Sequence, residues 1–197
     1  MDFTIITAEN FKTNNWSGGK TTQLFIYPST AEYQQLDFNF RLSTAKVENE
    51  KSVFTSLPGV SRKLMILDGE IIINHENHYT KHLSKFEMDA FEGDWKTTAV
   101  GKCTDFNLMT TGKTTGELAA VSVEKNQFTF YNINNAWQWL LIYVFCGKVN
   151  VFIDTISHAL IKDNLLVINK LETLSLKIEG VENSELIFSK ITHFETY

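Results

Sequence analysis

The sequence predicts an all-β protein of two jelly-roll-type β-barrels packed together, with few short helices. Three observations predict it. Aromatic residues make up 13% of the 197-residue chain with Phe dominant, Pro occurs only twice, and Thr, Ile and Val recur. That composition suits pleated surfaces better than helices. The stretch Phe54 to Ile73 reads as loop, strand, tight turn, strand: the apolar run after Arg62 is short, is broken by Asp68-Gly69, and resumes with three isoleucines. Finally, Trp139 to Val151 mirrors Leu64 to Ile73, with Gly147 in the place of Gly69 at an offset of 78 residues.

The mirrored order continues beyond that block. Leu160 answers Leu83 and Val167 answers Ala90 at an offset of 77, and Glu185-Leu186-Ile187-Phe188 answers Asp105-Phe106-Asn107-Leu108 at 80. Aligned blocks in one order argue for a duplicated unit of short strands. A parallel βαβ fold would need long amphipathic helices, and the chain offers none.

Along the chain, the opening strand through Ile6 leads to a polar glycine loop, Asn14 to Thr22, followed by the strand Leu24-Phe25-Ile26-Tyr27, which stops at Pro28. Residues 29 to 36 are expected to make a short helical turn. Phe38 to Ala45 alternates large apolar with small or polar residues, so Arg41 and Ser43 share a face. After the expected hairpin come His75, His78 and His82 in a polar connection, then Phe86 to Phe91, then the strand Thr104 to Met109. On that strand Asp105 and Asn107 alternate with Phe106 and Leu108, which puts the polar pair on one side. Thr110 to Gly116, of Thr and Gly apart from Lys113, is the expected linker. The expected domains are residues 1–112, a first barrel, and 113–197, a second and mainly structural barrel to which the N-terminal strand is free to cross.

A hydrophobic content of 43% is ample for a large core. The net charge of −5, with Lys and Arg scattered singly, gives no basic stripe for a phosphate backbone, so nucleic acid is not an expected partner. The N-terminus lacks the basic start and long apolar stretch of a signal peptide, and no apolar run reaches the ~18 residues that span a bilayer. No membrane partner is expected, and the expected location is cytoplasmic. Cys103 and Cys146 stand alone without metal-ligand spacing, as buried free thiols of a reducing compartment would.

Six motifs in order then narrow the reading: Trp16 with Gly18-Gly19-x-Thr21-x-Gln23-Leu24, Phe40-Arg41-x-Ser43-x-Ala45, Phe54-Thr55-x-Leu57-Pro58-Gly59-x-x-Arg62, Leu67-Asp68-Gly69, Phe91-x-Gly93-Asp94, and Asp105 to Met109. Together they resemble the HutD/Ves family, with Phe40, Leu57 and Gln23 where the family usually has Trp, Phe and Glu. The resemblance implies a bicupin, meaning two cupin barrels, and it treats the glycine loop with Trp16 and Thr21 as the lip of a pocket. It also implies either a regulator in histidine utilisation, with formylglutamate or urocanate as ligand, or a stress-related protein.

Metal-dependent cupins hold a transition metal with two histidines and a Glu ahead of the turn glycine. Anchored on Gly69, that pattern places Arg62 at the Glu, and Ser56 with Pro58, or Thr55 with Leu57, at the histidines. No metal and no cofactor is therefore expected. In the second half Leu140 stands at the Glu position, so that barrel is expected to be closed.

An inward Arg62 or Arg41 must be paired or it costs several kcal/mol by order of magnitude. One reading is an internal ion pair with Asp105 or Glu70. The other is an anion-receiving pocket in which a guanidinium forks onto a small carboxylate-bearing ligand. The candidate binding residues are Trp16, Thr21, Arg41, Ser43, Arg62, Asp105 and Asn107.

The three histidines are expected to be solvated polar residues rather than a zinc site. Gly18-Gly19-Lys20-Thr21 ends like a phosphate-binding loop, but Asn14 stands at the first glycine and a strand follows, so ATP is not expected. No nucleophile, base and orienting group come together in the sequence, and no catalytic residue is assigned. Two alternatives remain beside the binding protein: a small-molecule enzyme using Asp105 with Arg62 and Arg41, and an interaction module with a filled barrel. A homodimer is left open.

Overall fold

The computed structural model describes residues 2–133, 136–153, 156–170 and 174–193. The chain divides into two compact units, Phe11–Thr115 and Met1–Asn10 with Gly116–Tyr197. The first ten residues therefore belong with the C-terminal half. The first unit starts at Phe11 rather than at residue 1, because the opening strand pairs along the strand Leu165–Asn169 of that half.

In chain order the strands are β1 (Asp2–Ile6), β2 (Lys12–Trp16), β3 (Gly19–Tyr27), β4 (Phe40–Val47), β5 (Lys51–Val53), β6 (Val60–Gly69), β7 (Ile71–His75), β8 (Tyr79–Leu83), β9 (Met88–Glu92), β10 (Thr97–Val100) and β11 (Cys103–Thr111). The rest are β12 (Thr115–Val123), β13 (Phe128–Ile133), β14 (Trp139–Cys146), β15 (Lys148–Ile153), β16 (Ile156–Ile161), β17 (Leu165–Asn169), β18 (Leu174–Gly180) and β19 (Ser184–Thr192). Short 3-10 turns at Ala8–Asn10 and Tyr33–Gln35 supply the helix. No described helix is long and apolar enough to cross a membrane.

The first unit has one sheet in the order β2-β3-β4-β11-β6-β9 and a second in the order β5-β10-β7-β8. The second unit repeats this plan, with β12-β19-β14-β17 answering β4-β11-β6-β9 and β13-β18-β15-β16 answering β5-β10-β7-β8. The duplication read from the sequence is thus a duplication of pairing. It extends to a one-residue ladder irregularity at matching places, Leu67 on β6 in one unit and Phe145 on β14 in the other.

The ladders correct two expectations. Leu64 to Ile73 is not a hairpin, since β6 pairs with β11 and β9 whereas β7 pairs with β8 and β10. Gly69 is where the chain leaves one sheet for the other. Its φ of 78°, and the carbonyl of Lys102 standing where a Cβ would be, make glycine necessary there. Gly147 does the same between β14 and β15 with φ 83°. Secondly, Asp105 lies opposite Ile66 on β6, and Leu186 lies opposite Val144 on β14. The last repeated block is therefore offset by 81 rather than 80, and Asp105 and Asn107 correspond to Leu186 and Phe188.

In that correspondence the two barrels are filled differently. In the second, Leu140, Ile142, Val144, Leu186 and Phe188 join Val149, Val151, Leu160, Leu176 and Ile178 in one buried apolar cluster. In the first, Leu64, Ile66, Ile71, Ile73, Leu83 and Phe91 pack at one end. Elsewhere it holds a smaller apolar cluster of Phe38, Leu57, Val60 and Met109 beside the buried polar side chains Arg41, Ser43, Arg62, Asp105 and Asn107. The expected linker is a tight connection, with β11 running to Thr111, a turn at Gly112, and β12 starting at Thr115. Both cysteines are free, Cys103 buried and Cys146 half-buried.

Candidate ligand-binding site

Side chains alternate across a strand, so every second residue of β4, β11 and β6 turns toward the interior of the first barrel. Register then arranges them in rows. Arg41, Met109 and Arg62 form one, Ser43, Asn107 and Leu64 the next, and Ala45 with Asp105 a third. All of these line a cavity of about 460 Å³. Trp16 of β2 and Thr21 of β3 border it too, so the seven residues singled out in the sequence meet in one place. The glycine loop proves to be a hairpin in which Trp16 pairs with Gly19, and the Trp16 ring lies where a side chain on Gly18 would be. No helix follows it, as a phosphate-binding loop would require.

Two guanidinium groups dominate the cavity. Arg41 is 4% exposed, donates from Nε to Oε1 of Gln23 at 2.8 Å and from a terminal nitrogen to Oγ of Ser43 at 3.1 Å, and lies over the Tyr33 ring at 4.3 Å. Arg62 is 7% exposed and sits between Phe54 and Phe91, at 5.0 and 5.1 Å from their ring centroids. Its Nε is buried and has no hydrogen-bond partner, as is Oδ1 of Asn107. Burial lowers the pKa of both guanidiniums, that of Arg62 to about 10. Each stays charged at neutral pH, stabilised by aromatic faces instead of a carboxylate.

The internal ion pair does not form. Among the described residues no ion pair within 4.0 Å involves Arg62, Arg41 or Asp105, and Glu70 meets His82 at 3.1 Å on the surface. Asp105 is 5% exposed, and burial pushes its pKa up to about 7 against the pull of Arg62. Burial and the neighbouring Asp105 likewise raise the Cys103 thiol to about 12, so it stays protonated. The first barrel thus encloses a cavity with two guanidinium groups in its lining.

A transition metal does not fit this lining. Cupin metals need several imidazole and carboxylate donors, whereas the cavity offers one carboxyl group, Asp105, and two cations. Among the described residues no group of three metal-ligating side chains is close enough together to hold an ion.

The histidines fall elsewhere. His75 is not solvated but 1% exposed: Nδ1 meets Oγ1 of Thr97 at 2.7 Å, Nε2 meets Oδ2 of Asp89 at 2.9 Å, and its ring packs on Phe91, Tyr79 and Trp95. His78 stacks on Trp95 at 3.7 Å, outside the cavity lining. Three residues that complete the site were not singled out. Gln23 and Phe54 stood in the recognised motifs, but Tyr33, in a segment read only as a helical turn, left no signal.

The HutD family model matches residues 8–186. A conserved protein of unknown function from Pseudomonas aeruginosa PAO1 is similar in structure with a TM-score of 0.84 at 19% identity, over 98% of this chain and 100% of that one. HutD from Pseudomonas fluorescens SBW25 gives 0.73 at 19% identity, with the same coverage. An oxalate decarboxylase from Bacillus subtilis gives 0.69 at 7% identity over 98% of this chain and 78% of its own. No curated protein matches. At these identities the structural likeness speaks for the fold alone, an all-β cupin fold.

Proposed function

The chain belongs to the HutD family, and from that premise we propose that its first barrel is a metal-free pocket for a small carboxylate-bearing metabolite. The observation that carries the reading is Arg62, a buried cation with an unpartnered Nε and no ion pair within 4.0 Å among the described residues, in a cavity that also holds Arg41. A buried charge left unpaired is costly, and a carboxylate that accepts from it removes the cost. Asn107 and Ser43 in the adjoining row supply further polar groups, and Trp16, Phe54 and Tyr33 give the apolar wall that small-molecule sites usually have.

The biological role that fits the family is a regulator in histidine utilisation, with formylglutamate or urocanate as candidate ligand, and a stress-related role is the alternative. Asp105 supports a second reading. A carboxyl group pushed up to about 7 in a cavity that also holds two guanidiniums has the properties of a general acid or base, so an enzyme acting on the same acids is the competing function.

A thermal-shift screen of histidine-pathway acids and other small dicarboxylates tests the proposal. A ligand-induced rise in melting temperature that Arg62→Met abolishes is expected. A flat screen for the intact chain contradicts the carboxylate pocket. Turnover of a bound acid that Asp105→Asn abolishes while binding survives favours the enzyme.

A further inference from the structure

We propose that Asp105 is a specificity-determining residue: the pocket prefers a carboxylate that also carries an N–H hydrogen-bond donor over a dianionic acid of the same length. The inference rests on the carboxylate reading and says what the rest of the ligand must be.

The three rows of the cavity floor differ in character. The guanidinium row is separated from the Asp105 row by the Asn107 row, and rows two residues apart on a strand are roughly 7 Å from one another. Arg side chains are long enough to reach along the floor, and the charges of Arg62 and Asp105 influence each other across the cavity without forming an ion pair within 4.0 Å. A ligand that places its carboxylate on Arg62 therefore extends its other end toward Asp105.

Asp105 is 5% exposed, lines the cavity and has no hydrogen bond from any side chain among the described residues. A ligand that covers this carboxyl must offer it a hydrogen-bond donor or leave a buried acceptor unmet. An amide or ring N–H donates to the carboxylate. A second ligand carboxylate brings acceptor against acceptor and like charge against like charge. The charged group that acts on Asp105 is Arg62 from β6; Arg41 from β4 and the Tyr33 phenol line the same cavity, and the neutral Cys103 thiol lies two residues away on its own strand. None of them donates a hydrogen bond to it. The second barrel makes the contrast, because Leu186 takes the place of Asp105 and no donor is called for.

The test is calorimetric titration of the intact chain at pH 8 with two matched pairs, succinate against succinamate and glutarate against glutaramate. In at least one pair the monoamide is expected to bind about ten-fold tighter or more. In Asp105→Asn, whose side chain both donates and accepts, the two members of that pair should bind within about two-fold of each other. Equal or tighter binding of the diacids by the unsubstituted chain overturns this inference and leaves the carboxylate pocket standing. A preference that persists in Asp105→Asn also overturns it. If none of the four compounds binds while other small carboxylates do, the donor preference is likewise overturned. If no carboxylate binds at all, the pocket reading falls and this inference falls with it.

Discussion

Arg62 and Leu140 occupy the same place in the two barrels. Arg62 stands on β6 between Met109 of β11 and Phe91 of β9, and Leu140 stands on β14 between Lys190 of β19 and Ile168 of β17. Both are buried, at 7% and 1% exposure. One copy of the duplicated unit is closed by an apolar side chain, and the other keeps a cation in a cavity.

It follows that the first barrel tolerates leucine at position 62. Arg62→Leu removes a desolvated charge without breaking an ion pair, so the unliganded melting temperature should stay level or rise, as when buried charges give way to apolar residues at a gain of ~1–4 kcal/mol. Carboxylate affinity should fall by about a hundred-fold, the worth of a charge-assisted hydrogen bond of ~2–3 kcal/mol. Differential scanning calorimetry and titration on the same sample separate the two effects.

Asp105 makes stability depend on pH in a stated direction. Its pKa is about 7 in the folded chain against 3.8 for an ordinary carboxyl. Between these values the folded chain holds a proton that the unfolded chain has released, so the stabilisation is complete below about pH 4 and is lost as pH rises through 7. Asp105→Asn should melt higher than the unsubstituted chain at pH 8, by a few kcal/mol in order of magnitude, with the curves converging near pH 4. Melting scans from pH 4 to 8 check this.

Glycine is required at the two sheet crossings for more than backbone freedom. At Gly69 a Cβ would collide with the Lys102 carbonyl and at Gly147 with Ser184 and Asn183, whereas at Gly59, with φ 77°, nothing lies within 4 Å. Gly59→Ala should cost about 1 kcal/mol, and Gly69→Ala and Gly147→Ala clearly more, because a clash with backbone adds to the strain of a left-handed conformation. Chemical denaturation of the three variants ranks them.

The buried His75 and Asp89 pair ties β7 to β9, with Thr97 on the second ring nitrogen and Tyr79 donating to Asp89 at 3.1 Å. Asp89→Ala leaves a buried imidazole nitrogen without its partner and should cost roughly 1–3 kcal/mol. Denaturant midpoints of the variant against the unsubstituted chain measure it.

The parts of this molecule that sequence makes legible are those set by alternation. Arg41 with Ser43 and Asp105 with Asn107 fall on the cavity face because strand periodicity leaves them no other, and Gly69 and Gly147 mark the repeat because each occupies a position that excludes a side chain. What escaped depends on pairing between distant strands. Asp68-Gly69 has the composition of a hairpin turn, yet the strands on either side of it belong to different sheets. The last repeated block was matched one residue out, so that Asp105 answers Glu185 in the sequence but Leu186 in the ladders, which only the pairing with β6 and β14 reveals. His75 looked solvated because its partners, Asp89 and Thr97, lie 14 and 22 residues away. Tyr33 reaches Arg41 from a 3-10 turn whose sequence carries no pattern at all.

The most direct measurement is titration of small carboxylates into the intact chain and into Arg62→Leu at pH 6, where Asp105 is largely protonated. At least one acid should bind the intact chain and lose about a hundred-fold in affinity in the variant, while the variant's unliganded melting temperature is no lower. Failure of every acid to bind, or equal binding to both proteins, would contradict an anion pocket built on Arg62.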